Sequence, residues 1–162
     1  MANKHLAIYL NDHLAGSTGA LELLTHLADA HAGTPIGDAL TQLHAEIEAD
    51  RHELEHLIDR LQIAESGPRK VGAWLGEKLA QLKLQIDDQS TGAMRLFEGL
   101  EAVAIGIQGK RGLWRVLSVA SETLTELQGI DYTELVQRSD DQHRRVEMMR
   151  LDAGRDAFET TG

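Results

Sequence analysis

Residues 35–61 read PIGDALTQLHAEIEADRHELEHLIDRL, and this stretch decides the fold. Its apolar side chains recur every three or four residues, which places them on one face of an α-helix. They are Ile36, Leu40, Leu43, Ile47, Leu54, Leu57, Ile58 and Leu61. Thr34 supplies an N-cap and Pro35 suits the first helical position. A long amphipathic helix needs other helices to cover its apolar face, so the stretch predicts a helical bundle.

The same periodicity extends through the rest of the chain and predicts five helices in all. They span about residues 3–31, 35–65, 68–88, 92–120 and 131–158. The last helix carries Ser139 and Gln142 on its apolar stripe, so we expect it to cover the bundle rather than join its core. The sequence therefore predicts one all-α domain over residues 1–162. It consists of an antiparallel four-helix bundle at about 3–120 and an additional C-terminal helix at about 131–158.

Composition limits the classes of partner. The chain has 16 basic and 26 acidic residues, a net charge of −10, which disfavours nucleic acid and anionic membrane surfaces as ligands. It has no cysteine, which removes disulfides and thiolate chemistry. The N-terminal residues resemble neither a secretory signal nor a membrane span, so we expect a cytoplasmic protein.

The short stretch HELEH at residues 52–56 matches H-E-x-x-H, a zinc-peptidase signature. On a helical wheel, however, His52 and His56 lie opposite the apolar face that contains Leu54. A zinc peptidase buries its motif in a cleft and adds a third protein ligand. The wheel therefore favours a solvated face over a zinc site, and the peptidase stays a distant alternative.

Three polar residues interrupt apolar stripes: His13, Asp50 and Lys78. Because an unpaired buried charge costs several kcal/mol, we expect Asp50 and Lys78 to pair inside the bundle with His13 hydrogen-bonded nearby. Such a network serves register more often than chemistry. Lys110 and Arg111 form a local basic spot, for which a solvated helix end is favoured over an anion site.

Four stretches resemble the ferritin-like superfamily, in particular small bacterial members of it. They are YLNDHLAG, AEIEADRHELEHLIDRL, WLGEKLAQLKL and LEAVAIGIQGKRGLW, within about residues 3–120. The resemblance implies a four-helix bundle and, in di-iron members, inward-pointing glutamates and E-x-x-H pairs. The candidate metal ligands it implies here are Glu22, Glu46, Glu53, His56 and Glu101. Few of these lie on apolar stripes, which departs from the di-iron pattern.

The function expected from the sequence is a structural or binding role without catalysis. No cofactor is expected; the alternative is a divalent-metal or di-iron protein that holds iron or manganese. A homodimer is an expected assembly, and the sequence names no other protein partner.

Overall fold

The computed structural model describes residues 3–64, 77 and 92–159, and these residues contain four long helices without any strand. Helix α1 spans Lys4–Ala30 and α2 spans Pro35–Arg60. Helix α3 spans Gly92–Ala120 and α4 spans Tyr132–Glu159, with a short 3₁₀ turn at Thr125–Leu127 between them. The all-α prediction is confirmed. The predicted helix at 68–88 lies outside the described residues, apart from the helical and exposed Glu77.

Local signals fix most helix ends where the sequence predicts them. The Thr34 hydroxyl accepts a hydrogen bond from the Gly37 amide at 3.2 Å, which caps α2 behind Pro35. The Asp131 carboxylate accepts from the Glu134 amide at 2.9 Å at the start of α4. These caps satisfy amides that have no partner within the helix.

The end of α2 differs from its prediction. The sequence extends this helix to residue 65, whereas α2 ends at Arg60. Gln62 adopts a left-handed conformation with φ +53°, and the Ile63 amide donates back to the Ile58 carbonyl at 3.1 Å. This geometry resembles the left-handed turns that commonly end α-helices. Because Gln62 adopts it where glycine is usual, the sequence pattern does not predict the end of α2 here.

Contacts between the helices fix their relative directions. The four-residue connection 31–34 makes α1 and α2 antiparallel. Leu27 near the end of α1 meets Gly99 near the start of α3, so this pair is also antiparallel. Phe97 of α3 meets Phe158 of α4, and Glu46 of α2 meets Arg145 of α4. Helices α2 and α3 therefore run in the same direction, and the chain between Arg60 and Gly92 connects opposite ends of the bundle.

The C-terminal helix is a full member of the bundle core, contrary to its prediction as a cover. It packs most extensively against α3 and also touches α2. Ser139, Gln142 and Val146 are all buried. The prediction failed because two of these residues are polar. Gln142 meets Asp50 of α2 and Lys110 of α3, and the Ser139 hydroxyl donates to the Leu135 carbonyl of its own helix.

The apolar stripes predicted from periodicity form the core in the described helices. Two apolar clusters result, each drawing on α1, α2, α3 and α4. Gly99 of α3 packs closely against α1, since a Cβ there would lie 2.8 Å from Leu27 Cδ2. A Cβ at Gly106, seven residues further along, would meet no atom of the described residues within 4 Å, and Gly106 borders an open cavity.

Candidate functional site

A polar layer lies between the two apolar clusters at the middle of the bundle. We define it by Asp50 of α2, Lys110 of α3, and Arg138 and Gln142 of α4. Each lies on the apolar stripe of its helix or beside it: Asp50, for example, follows Ile47 of one cluster and precedes Leu54 of the other. Polar residues interrupt the apolar stripes of α2, α3 and α4 at the same level of the bundle, which brings these groups together.

Asp50 is the centre of the polar layer, and none of its side chain is exposed. Its two carboxylate oxygens accept hydrogen bonds from Lys110 Nζ and Arg138 Nη2. Gln142 Nε2 donates to Oδ2 of Asp50 at 3.0 Å, and Gln142 Oε1 accepts from Lys110 Nζ. Every hydrogen bond here connects different helices, so the layer fixes the register of α2, α3 and α4.

Two ion pairs flank the polar layer on its outer side. Arg145 donates through both terminal nitrogens to the carboxylate of Glu46, one helical turn from Asp50. Arg111 Nε donates to Asp140 across α3 and α4. Both pairs are partly exposed, so their stabilising contribution is smaller than that of the buried layer.

A cavity of about 360 Å³ opens beside the polar layer. Its lining comes from α1, α2 and α3 and is mostly apolar, with Asp50 and Lys110 as its buried charged groups. A volume of this size lies within the range of small-molecule sites, about 300–1,000 Å³, which are usually apolar with a few polar groups. The cavity therefore has the size and the composition of a ligand site.

Small side chains on α1 create the space that the cavity occupies. At the level where the other helices contribute charged or amide side chains, α1 contributes Gly16, Ser17 and Ala20. Gly106 and Gly109 of α3 face the same space, and a Cβ added to Gly16, Gly106 or Gly109 would meet no atom within 4 Å in the part of the chain that the structure describes. Small residues on facing helices thus keep the α1–α3 side open.

One buried donor in the cavity wall lacks an acceptor. Trp114 is 1% exposed and lines the cavity, and its Nε1 has no hydrogen-bond partner among the described residues. An unsatisfied buried N–H costs about 1–3 kcal/mol. The nitrogen itself is fully buried, so it lies within the packed wall and not at the open surface of the cavity.

Burial affects two titratable groups that face the cavity. It lowers the pKa of His13, and the nearby Asp12 carboxylate opposes the effect. The His13 ring lies edge-on to Tyr9, with ring centroids 4.6 Å apart. Burial also lowers the pKa of Lys110, while Asp50 opposes the shift by favouring the ammonium form.

His13 makes the stability of the fold depend on pH. Because its pKa is lower in the folded chain than in the unfolded chain, the folded state binds fewer protons and loses stability as pH falls below about 6.5. We expect His13→Gln to lose less stability than the unmodified chain between about pH 7.5 and pH 5, as measured by urea unfolding. His56→Gln is the matched control, since His56 is exposed. Equal acid sensitivity of His13→Gln and the unmodified chain would contradict the assignment.

The HELEH stretch faces solvent, as the wheel predicts. His52, Glu53 and His56 are all exposed, and His52 Nε2 lies 3.8 Å from Glu55. Among the candidate metal ligands, Glu22 and Glu101 are also exposed, while Glu46 is engaged by Arg145. Within the described residues, no three histidine, aspartate or glutamate side chains come together as a metal site.

Among the described residues, the cations that meet Asp50 are Lys110, which is largely buried, and Arg138, with 35% of its side chain exposed. Lys78, the predicted partner of Asp50, lies outside the described residues. Lys110 is not at a solvated helix end: it sits inside α3, with 15% of its side chain exposed. The spacing of Lys110 could have identified it as a core residue, because it lies on the apolar stripe of α3 between Ile107 and Trp114. His13 borders the same cavity as Asp50, as expected for a neighbouring group.

Comparison with known proteins adds no relative: no family model, no curated protein and no solved structure matches the chain. Within residues 3–64 and 92–159, no helix is both long enough and apolar enough to cross a membrane. The class of the protein therefore rests on its fold and its site, a helical bundle with a charged layer beside an apolar cavity.

Proposed function

We propose that this chain is a non-enzymatic bundle protein of ferritin-like topology that binds a small, mostly apolar molecule in its central cavity. The observation that carries the binding role is the cavity beside the polar layer, because an apolar pocket with a few buried polar groups is the usual form of a small-molecule site.

The helix directions support the ferritin-like topology. Bundles of that superfamily join two antiparallel helix pairs through one long crossover between the second and third helices. Here α1 pairs with α2 and α3 pairs with α4, and the chain between Arg60 and Gly92 connects opposite ends of the bundle. In this arrangement α4 completes the bundle. Fold alone does not define an activity, so the binding role is argued from the cavity.

The composition of the cavity wall supports binding rather than catalysis. Most of the lining surface is apolar, with contributions from Ile47, Leu54 and Val103. The Asp50 carboxylate is occupied by Lys110, Arg138 and Gln142, so it is not a free base. A buried carboxylate held by three donors is suited to a fixed structural role, whereas general-base catalysis requires an accessible lone pair.

Binding of a neutral fluorescent probe tests the proposed function. We expect N-phenyl-1-naphthylamine to bind with a saturable rise in fluorescence. Gly106→Leu should weaken binding by about tenfold or more, because the new side chain enters open space at the cavity. Gly112→Leu is the matched control, since Gly112 is an exposed glycine of the same helix, also without neighbours within 4 Å but outside the cavity lining.

The control separates the cavity from exposed apolar surface. The exposed side chains of Val116, Val119 and Met148 also offer apolar contact to a probe. If Gly106→Leu and Gly112→Leu bind the probe equally well, or if no saturable binding occurs, the cavity is not the binding site and the proposed function is wrong.

A further inference from the structure

The exposed face of α2 carries two histidines one helical turn apart. His52 and His56 are both exposed, and side chains four residues apart are neighbours on a helix, about 5–6 Å apart at Cβ. A neutral imidazole has one nitrogen lone pair, a donor that suits zinc, nickel and copper. Two histidines at this spacing can therefore bind one metal ion together, as they do in the H-E-x-x-H motif.

Packing on the opposite face fixes the spacing of the two histidines. Leu54, Leu57 and Ile58 are buried in the apolar core, and they hold the same turns of α2 that carry His52 and His56. The backbone between the histidines is thus ordered before a metal ion arrives. Preorganised ligands bind without the entropy cost of ordering a flexible segment.

Carboxylates surround the histidine pair on the same face. Glu48 lies one turn before His52, and Asp59 lies three residues after His56, and both carboxylates are exposed. On a helical wheel these four residues fall within about 80° of one another. A Glu55 oxygen also lies 3.8 Å from His52 Nε2. The negative charges attract a divalent cation to the histidines.

The basic residue of this stretch is directed elsewhere. Between residues 48 and 59 the only arginine or lysine is Arg51. Its guanidinium donates to Glu55 at 2.8 Å and to the Thr18 hydroxyl of α1 at 2.7 Å. Arg51 therefore lies toward α1, and its charge is taken up there by Glu55.

We infer that the exposed face of α2 binds one Zn²⁺ ion through the imidazoles of His52 and His56. Zinc prefers four ligands, and water fills the positions that the imidazoles leave open. A zinc peptidase has a third protein ligand and a cleft, whereas no three histidine, aspartate or glutamate side chains come together within residues 3–64 and 92–159. The site is therefore a surface chelation site. Neither histidine lines the cavity, so the inference is independent of the proposed function.

Calorimetric titration of ZnCl₂ into the untagged chain tests the inference. We expect about one bound Zn²⁺ per chain. His52→Gln and His56→Gln should each weaken zinc binding by about tenfold or more, because one imidazole remains. His26→Gln is the matched control, since His26 is an exposed histidine of α1. It should bind zinc within about twofold of the unmodified chain.

Magnesium separates imidazole binding from simple attraction to an acidic surface. The chain has a net charge of −10 and attracts any divalent cation, but Mg²⁺ prefers oxygen ligands and binds imidazole poorly. At constant ionic strength, a tenfold excess of MgCl₂ over ZnCl₂ should leave the zinc affinity within about twofold. If magnesium displaces the zinc, carboxylates hold the ion and the inference is wrong.

Nuclear magnetic resonance identifies the ligands directly. The imidazole resonances of His52 and His56 should shift together when ZnCl₂ is added, while those of His26 should not. Both ligands are exposed, so their replacement should leave the fold intact, and circular dichroism checks this. Full zinc affinity in either His52→Gln or His56→Gln, or zinc-induced shifts at other histidines in place of these two, would overturn the inference.

Discussion

Replacement of Asp50 by asparagine is expected to lower the free energy of unfolding by about 3–5 kcal/mol, the usual cost of removing one partner from a buried ion pair. Asparagine keeps the shape of the side chain but not its charge. Lys110 and the partly exposed Arg138 would then lie close together, with no buried anion between them among the described residues. Urea unfolding monitored by circular dichroism measures the loss.

The size of this effect follows from burial. None of the Asp50 side chain is exposed, whereas Glu53, one turn further along the same helix, is exposed. Glu53→Gln removes a carboxylate in the same way and should change stability by less than about 0.5 kcal/mol. If the Asp50→Asn variant is as stable as the Glu53→Gln variant, the polar layer does not hold the bundle together.

A double variant identifies the cause of the loss. Adding Lys110→Met to Asp50→Asn removes the less exposed of the two cations that lose Asp50 as a partner. We expect the double variant to be more stable than Asp50→Asn, so the two changes should be non-additive. Additive losses would mean that Asp50 and Lys110 contribute independently.

Replacement of Gly37 by alanine is the second change with a large expected effect, a loss of about 3 kcal/mol. Gly37 is buried in the first turn of α2, and an alanine Cβ there would collide with the His31 carbonyl group. The collision involves backbone, so a rotamer change cannot relieve it. The connection between α1 and α2 would have to move, and the hydrogen bond from the Gly37 amide to Thr34 would be strained.

Gly16→Ala is the control for Gly37→Ala. Gly16 lies within α1, and a Cβ there meets no atom of residues 3–64 or 92–159 within 4 Å. Alanine stabilises a helix interior relative to glycine by about 0.5–1 kcal/mol, so Gly16→Ala should gain stability where Gly37→Ala loses it. Thermal unfolding of both variants measures the difference. Equal changes in the two variants would contradict the close approach at His31.

The same residues contribute to the stability of the bundle and to its proposed binding site. The layer that fixes the register of three helices also forms the charged floor of the cavity. Fixed buried groups bind a ligand without the entropy cost of ordering them first, which is the benefit of a preorganised site.

The sequence by itself determined the helices and their apolar faces. Periods of three and four residues identify Leu43, Leu54 and Leu100 as core residues, and all three are buried. Thr34 and Asp131 mark helix starts that the structure confirms. The wheel also places His52 and His56 in solvent, where they lie. These features are local, because a helix sets side-chain directions from residue spacing alone.

Only the tertiary structure decided which polar residues meet. Asp50 is 60 residues from Lys110 and 88 from Arg138, and no spacing rule connects positions so far apart. The register between the helices depends on the packing of all four. Lys110, which the sequence places at a solvated helix end, therefore becomes a largely buried partner of Asp50. The cavity depends on the same register, because Gly16 of α1 and Gly106 of α3 leave space only when they face each other.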